Sequence, residues 1–211
     1  MGQGDCCGGR LDNHMDADCN TVMLNMLTDE LPKSVEIDGL EYPVKYLAKD
    51  IIKLSVFIEN NRDFSTETVL TELGMFYYTV PPDTQKAMVK MLEFYQYSIN
   101  NYNKSGSQNK DDKAAYSYDS DASLIYSALT QQYPSKDLNN LHWFEFKSLI
   151  GNLTDDCLLA KVIRWRSIKL DNNMNKQEKA FYRKMKREYA LPDKRTQEEK
   201  DADFGACLFY L

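Results

Sequence analysis

Two histidines, His14 and His142, and five cysteines are the main raw material for nucleophilic or metal chemistry in this chain of 211 residues. A histidine-based triad or a multi-histidine metal site therefore has very few candidates. His142 stands between Leu141 and Trp143 in an aromatic run, where a packing or hydrogen-bonding role is expected and a partner contact or general base is the alternative. Cys6, Cys7, His14 and Cys19 nominally offer four soft ligands, but their spacing matches no familiar zinc knuckle. Gly2 opens a stretch that a myristoylation signal would continue with Ser or Thr at the sixth residue, and Cys6 stands there instead. Asp111-Asp112 and Asp155-Asp156 are adjacent pairs, better explained by solvation and by a helix dipole than by acid–base work. No glycine-rich phosphate loop is present. These readings lead to a protein that is not an enzyme and uses no metal or cofactor.

What must carry function is then surface rather than chemistry. Fourteen Tyr, nine Phe, two Trp and nine Met give adaptable contact area as readily as core. In Leu141-His142-Trp143-Phe144-Glu145-Phe146 the rings cannot share one helical face, because successive residues diverge by about 100°. Trp143 with Phe146, or Phe144 on the other side, must meet something further: an adjacent helix, a client protein or a second subunit. Charge is also segregated. Lys161 to Tyr189 hold ten Lys or Arg against three acids, a local +7, while the whole chain is −6, so the remainder carries −13. An acidic background of that size opposes a dominant attraction to nucleic acid, and a solvated helix face is the simpler reading of the run. Arg164, Arg166, Arg183, Lys184, Lys186 and Arg187 are the residues that a nucleic-acid contact would use.

The elements that must position these residues are mainly helical. Residues 1–25, rich in Gly and Asp without apolar period, read as a disordered extension, within which Met15 and Met23, or Met26 just after it, offer alternative starts. Val35 to Tyr42 alternate around Asp38-Gly39, the signature of a tight hairpin and the single sheet expected. Helical stripes follow: Leu47, Ile51, Leu54 and Ile58; then Val69, Leu70 and Leu73 behind Ser65 or Thr66; then Met88, Met91, Leu92, Tyr95 and Ile99 behind Asp83. Residues 100–117 offer almost nothing to a core and read as a flexible internal linker. A second group starts at Asp119 with Ala122, Ile125, Tyr126, Leu129 and Tyr133. Trp143, Phe146 and Ile150 form a short helix ended by Gly151. Leu158, Leu159, Val162 and Ile163 lie behind Thr154 or Asp155, and Asn175 with Glu178 are spaced as a capping box. The expected organisation is one helical domain over 26–192, in two helical groups split by the linker with one short N-terminal β-hairpin, and a C-terminal tail or short helix over 193–211. No stretch reaches the roughly 20 apolar residues of a membrane span, no secretory signal is expected, and a cytoplasmic site follows.

Several blocks carry a resemblance: Leu31-Pro32-Lys33-Ser34-Val35-Glu36-Ile37-Asp38-Gly39, Gln131-Gln132-Tyr133, Leu141 to Leu149, Arg166-Ser167-Ile168 and Tyr182 to Pro192. In order and spacing they resemble the bacteriophage family named for gene product fifteen, from siphophages and prophages of low-GC Gram-positive bacteria. The resemblance implies a protein of the tail module near the tape-measure gene, read as a tail-assembly chaperone in the host bacterial cytoplasm. Its partners would be the tape-measure protein and, as a further candidate, the tail-tube protein, with self-association open. The candidate partner-binding residues are Trp143, Phe144, Phe146, Arg183, Lys184 and Arg187. A structural tail component of the virion and a small nucleic-acid-binding phage regulator are the alternatives.

Overall fold

The computed structural model describes residues 24–61, 65–96, 115–171 and 174–193. The Cys- and Gly-rich extension up to residue 23, most of the expected linker and the segment after Asp193 lie outside the described residues. The chain divides into two units, Met1–Glu30 and Leu31–Leu211. In the first, the described residues form a turn in which Thr28 and Asp29 N–H groups donate to the Asn25 carbonyl and the Asn25 N–H donates to the Asp29 carboxylate.

The second unit opens with strands β1 (Ser34–Ile37) and β2 (Leu40–Pro43), paired antiparallel with Ile37 opposite Leu40. That register leaves two turn residues, Asp38 at φ 53° and Gly39 at φ 76°. Positive φ at both positions gives the turn whose twist matches that of the strands. Asp38 accepts from Lys86 Nζ at 2.7 Å through both carboxylate oxygens, which ties the hairpin tip to the start of α3 (Thr84–Gln96).

Seven helices follow among the described residues. In α1 (Ala48–Asn60), Ile51 and Leu54 are buried. Helix α2 (Thr66–Phe76) is capped by Ser65 Oγ, which accepts the Thr68 N–H, and buries Leu73 and Phe76. Helix α3 begins behind Pro81-Pro82, and Asp83 accepts the Lys86 N–H at 3.0 Å as expected of an N-cap. Its buried face is Ala87, Met91 and Phe94; of the stripe Met88, Met91, Leu92, Tyr95 and Ile99 that the periodicity suggested, Met91 is buried, Met88 and Tyr95 are half-buried, Leu92 is exposed, and Ile99 lies outside the described residues. Phe94 packs edge-on to Phe76, and Tyr77 donates its hydroxyl to the Ala87 carbonyl at 2.9 Å; these contacts turn the face by about one residue. Helices α4 (Ala122–Gln132), α5 (Trp143–Gly151), α6 (Leu158–Ser167) and α7 (Lys176–Glu188) complete the fold.

The caps of the second group differ from expectation in three places. Asp121 rather than Asp119 precedes α4 and is spent on other bonds. Gly151 stays helical and Asn152 ends α5, its side-chain amide donating to the Ser148 carbonyl. Cys157, whose sulfur accepts the Ala160 N–H, starts α6 in place of Thr154 or Asp155. The capping box of α7 forms as read: Asn175 Oδ1 accepts the Glu178 N–H and the Glu178 carboxylate accepts the Asn175 N–H.

The helices before and after the expected linker share one core. The Ala48 N–H donates to the Leu141 carbonyl and the Trp143 N–H donates to the Tyr46 carbonyl, both at 2.9 Å, so the entries to α1 and α5 run side by side. Trp143 Nε1 and Lys147 Nζ both donate to the Tyr95 carbonyl in the last turn of α3, satisfying an end that has no intrahelical partner. Ala115 to Ser117, assigned to the linker on composition, are folded against this core, with Ser117 donating its hydroxyl to Glu59 and its N–H to Asp121.

Candidate functional site

Helices α1, α4 and α5 leave an open apolar cleft of about 180 Å³ between them, lined chiefly by Ile52, Tyr118, Ile125, Tyr126, Leu138 and Phe146. The spacing of α4 explains it. Ile125, Ala128 and Leu129 are buried at i, i+3 and i+4, which rotates Tyr126 outward to 63% exposure. Tyr126 had been read as part of the buried stripe; it forms a free aromatic wall instead. The floor comes from Phe146, and Lys49 at the α1 side is the cationic member of the lining. At this volume the cleft is smaller than the roughly 300 Å³ at which pockets take small molecules. It suits one or two apolar side chains of a partner, the usual form of an interface anchor.

A rigid aromatic block supports the cleft. Trp143 stacks on Tyr95 and Phe146 at ring distances of 5.4 and 5.6 Å, and Tyr118 lies 6.0 Å from Phe146. Tyr118 shares a hydroxyl–hydroxyl contact of 3.2 Å with Tyr116. Burial, with the neighbouring Tyr116 second, pushes the Tyr118 phenol well above its ordinary value, so it stays a neutral hydrogen-bonding group. Burial first and Glu93 second raise Tyr77 to about 12.

The sequence-derived contact residues fall into two sets. Trp143, Phe144 and Phe146 are 1%, 2% and 4% exposed. As surface contacts they are overturned: Tyr95, Phe94 and Tyr118 cover the three rings from different sides, so α5 is packed around more than one face. Only Phe146 reaches the cleft, from beneath. Arg183, Lys184 and Arg187 are exposed and make no ion pair among the described residues. They share the stripe of α7 that faces away from α6, since Tyr182, Lys186 and Tyr189 form the side toward it.

Two of the cations that a nucleic-acid contact would have used are committed inside the protein. Arg166 forms a two-pronged pair with Asp121 at 2.6 and 2.9 Å and donates also to the Tyr189 and Ala115 carbonyls. Lys186 Nζ donates to the Arg166 carbonyl at 2.8 Å. Burial alone would raise the Asp121 carboxyl, but the Arg166 hydrogen bonds and charge, with the Ser117 N–H, outweigh it and hold the group below the ordinary carboxylate value. Sequence reasoning missed this pair, and no local signal marks it, because the partners are 45 positions apart.

His142 is a structural group. Its Nδ1 accepts the Phe144 N–H at 3.1 Å as the N-cap of α5, which leaves Nε2 to carry the proton and donate to the Pro32 carbonyl at 2.9 Å. Burial lowers its pKa against the opposing pull of the Pro32 bond, so the neutral form fits both bonds. Among the described residues no group of three or more His, Cys, Asp or Glu could hold a metal, and no helix is long and apolar enough to cross a membrane.

Fold and cleft together define a mainly helical protein with one small hairpin and, among the described residues, an open apolar cleft between α1, α4 and α5. The family model described as Bacteriophage Gp15 protein matches residues 27–191, and the chain belongs to that bacteriophage family. No curated protein and no solved structure matches it.

Proposed function

We propose that this Gp15-family protein is a tail-assembly chaperone that acts in the host cytoplasm by binding the tape-measure protein, not by catalysis. The observation that carries the reading is the cleft between α1, α4 and α5, with Tyr126 exposed at its edge over a floor of Phe146. A long helical client presents apolar side chains along one face, and a small rigid cleft with an aromatic wall takes such anchors. The resemblance of the family to tail-module proteins supports the choice of client.

The test is co-expression with the tape-measure protein of the same phage. The chaperone reading expects a larger soluble client fraction and co-purification of the two, both lost on Tyr126→Asp with the helical circular dichroism unchanged. Unaltered client solubility and no co-purification with well-folded protein would reject it. Mass spectrometry of purified virions separates the alternative tail component, which stays in the particle, from a chaperone, which does not. The exposed stripe of Arg183, Lys184 and Arg187 keeps a nucleic-acid-binding regulator as the other alternative, and salt-dependent DNA or RNA binding would mark it.

A further inference from the structure

The end of α7 brings a further part of the chain within reach of the cleft. The Tyr189 carbonyl, at the C-cap of α7, accepts from Arg166 Nε at 2.6 Å, and the terminal nitrogens of the same guanidinium hold the Asp121 carboxylate at 2.6 and 2.9 Å. Asp121 is the residue before α4, whose Ala122, Ile125, Tyr126 and Leu129 form one wall of the cleft. A single planar group therefore lies between the point where the chain leaves α7 and the point where the cleft wall begins.

Beyond α7 the sequence has two parts. Residues 194–203 hold four acids and three bases in ten positions, the composition of a solvated connector. Residues 204–211 carry no charge and include Phe204, Leu208, Phe209, Tyr210 and Leu211. Residues 97–114, the other long segment of the same unit outside the described residues, are chiefly Asn, Ser, Lys and Asp and offer no such run. Ten connector residues span roughly 17 Å as a flexible coil and about 33 Å fully extended, whereas the wall from Ala122 to Leu129 is only about 10 Å long. The uncharged segment can thus reach the cleft of its own molecule.

The chemistry of the surface selects the cleft. Nine of its ten lining residues are apolar or aromatic, and the exposed Lys49 is the one charged member. The groove of about 300 Å³ between α6 and α7 is closer along the chain, but Asp155, Lys161 and Arg164 line it. An uncharged apolar segment there would strip water from three charged groups and give them nothing in return.

We propose that residues 204–211 fill the cleft of their own molecule until a client displaces them. Leu208 and Phe209 supply the one or two side chains that about 180 Å³ admits, and Asp201 and Asp203 come beside Lys49. A short connector keeps the segment at the cleft at roughly millimolar effective concentration, so a client must compete with it. A segment that holds the site about nine-tenths of the time lowers the apparent affinity of a client about tenfold. The contact within the molecule stands apart from the identity of the client; the regulation of client binding rests on the proposed function.

The test uses the full chain with a photoreactive side chain in place of Phe209, irradiated when dilute and digested for mass spectrometry. Attachment to Ile52, Tyr126 or Leu138 within a species of monomer mass is the expected result, and Tyr126→Asp should lower its yield about tenfold. A labelled peptide of residues 198–211 gives a second readout. It should bind the Leu208→Asp/Phe209→Asp full chain about tenfold more tightly than wild type, whose own segment holds the site. Attachment at Lys161, Trp165 or Tyr182, attachment to a second copy, or no attachment in folded protein overturns the proposal, as does equal peptide binding by the two chains. Neither readout contains the tape-measure protein, so failure of the client reading and failure of this contact are seen separately.

Discussion

Removing the charge of Asp121 is expected to cost more stability than any other single polar substitution among the described residues. Its carboxylate is held by Arg166 at 2.6 and 2.9 Å, with side-chain exposures of 4% and 12% for the two residues. Breaking such a pair leaves a guanidinium buried without its counter-charge, at about 3 to 5 kcal/mol. For a chain of this size each kcal/mol moves the melting temperature by roughly 2 to 4 °C, so Asp121→Asn should lower it by roughly 6 to 20 °C. Because Arg166 also bonds the Tyr189 carbonyl and its own carbonyl accepts from Lys186, α7 should loosen first, and limited proteolysis should cut near residues 168–175 before the rest. The double variant Asp121→Leu/Arg166→Met should lose less than the two single changes together, since it leaves no orphaned charge. The folded carboxyl is held below its ordinary 3.8, so its contribution is complete above that pH and fades as pH falls through it towards the folded value. Thermal unfolding by circular dichroism is the assay. A shift under about 2 °C for Asp121→Asn, or strict additivity in the double variant, would refute the reasoning.

Three further outcomes follow from the same structure. Trp143→Ala should cost about 3 to 5 kcal/mol in denaturant unfolding, as a fully buried ring does, whereas Tyr126→Ala at the exposed cleft wall should stay within about 0.5 kcal/mol. His142 has a folded pKa below 6.5, so stability should hold above that pH and fall below it as the unfolded chain takes up the proton first; the melting temperature of His142→Gln should lack that drop. Gly39→Ala should cost about 1 to 2 kcal/mol from the left-handed backbone alone, because at φ 76° the added methyl meets nothing within 4 Å; an unchanged chevron or melting curve would count against the hairpin geometry.

Local signals were legible and distant ones were not. Asp38-Gly39 and the Asn175–Glu178 box sit within a turn of their own partners, so spacing sufficed to place them. Of the stripe Leu47, Ile51, Leu54 and Ile58, the two central members are buried because α1 packs on one side there, while Leu47 is the half-buried N-cap and Ile58 is exposed near the helix end. Periodicity failed where a helix is enclosed on several sides, as at Trp143, Phe144 and Phe146, for then every ring is apolar and none is at the surface. It failed in part on α3, where small Ala87 is buried under Tyr77 while Leu92 is 42% exposed. The cleft was hidden for a related reason: it depends on how α1, α4 and α5 meet, and only the outward turn of Tyr126 by about 100° from Ile125 separates wall from core. The Asp121–Arg166 tie, which sets α6 and α7 against the body, needs the fold to bring its ends together.

The claim that this protein works by holding the tape-measure protein at the cleft is tested most directly by site-specific photo-crosslinking. A photoreactive side chain at Tyr126, and another at Arg183 on the opposite face of α7 from α6, would be activated in cells assembling tails. The account predicts that the Tyr126 position captures the tape-measure protein, identified by mass spectrometry, and that the Arg183 position does not. Capture at Arg183 alone, or no tape-measure adduct at Tyr126 while the protein is folded and tails are being built, would contradict it.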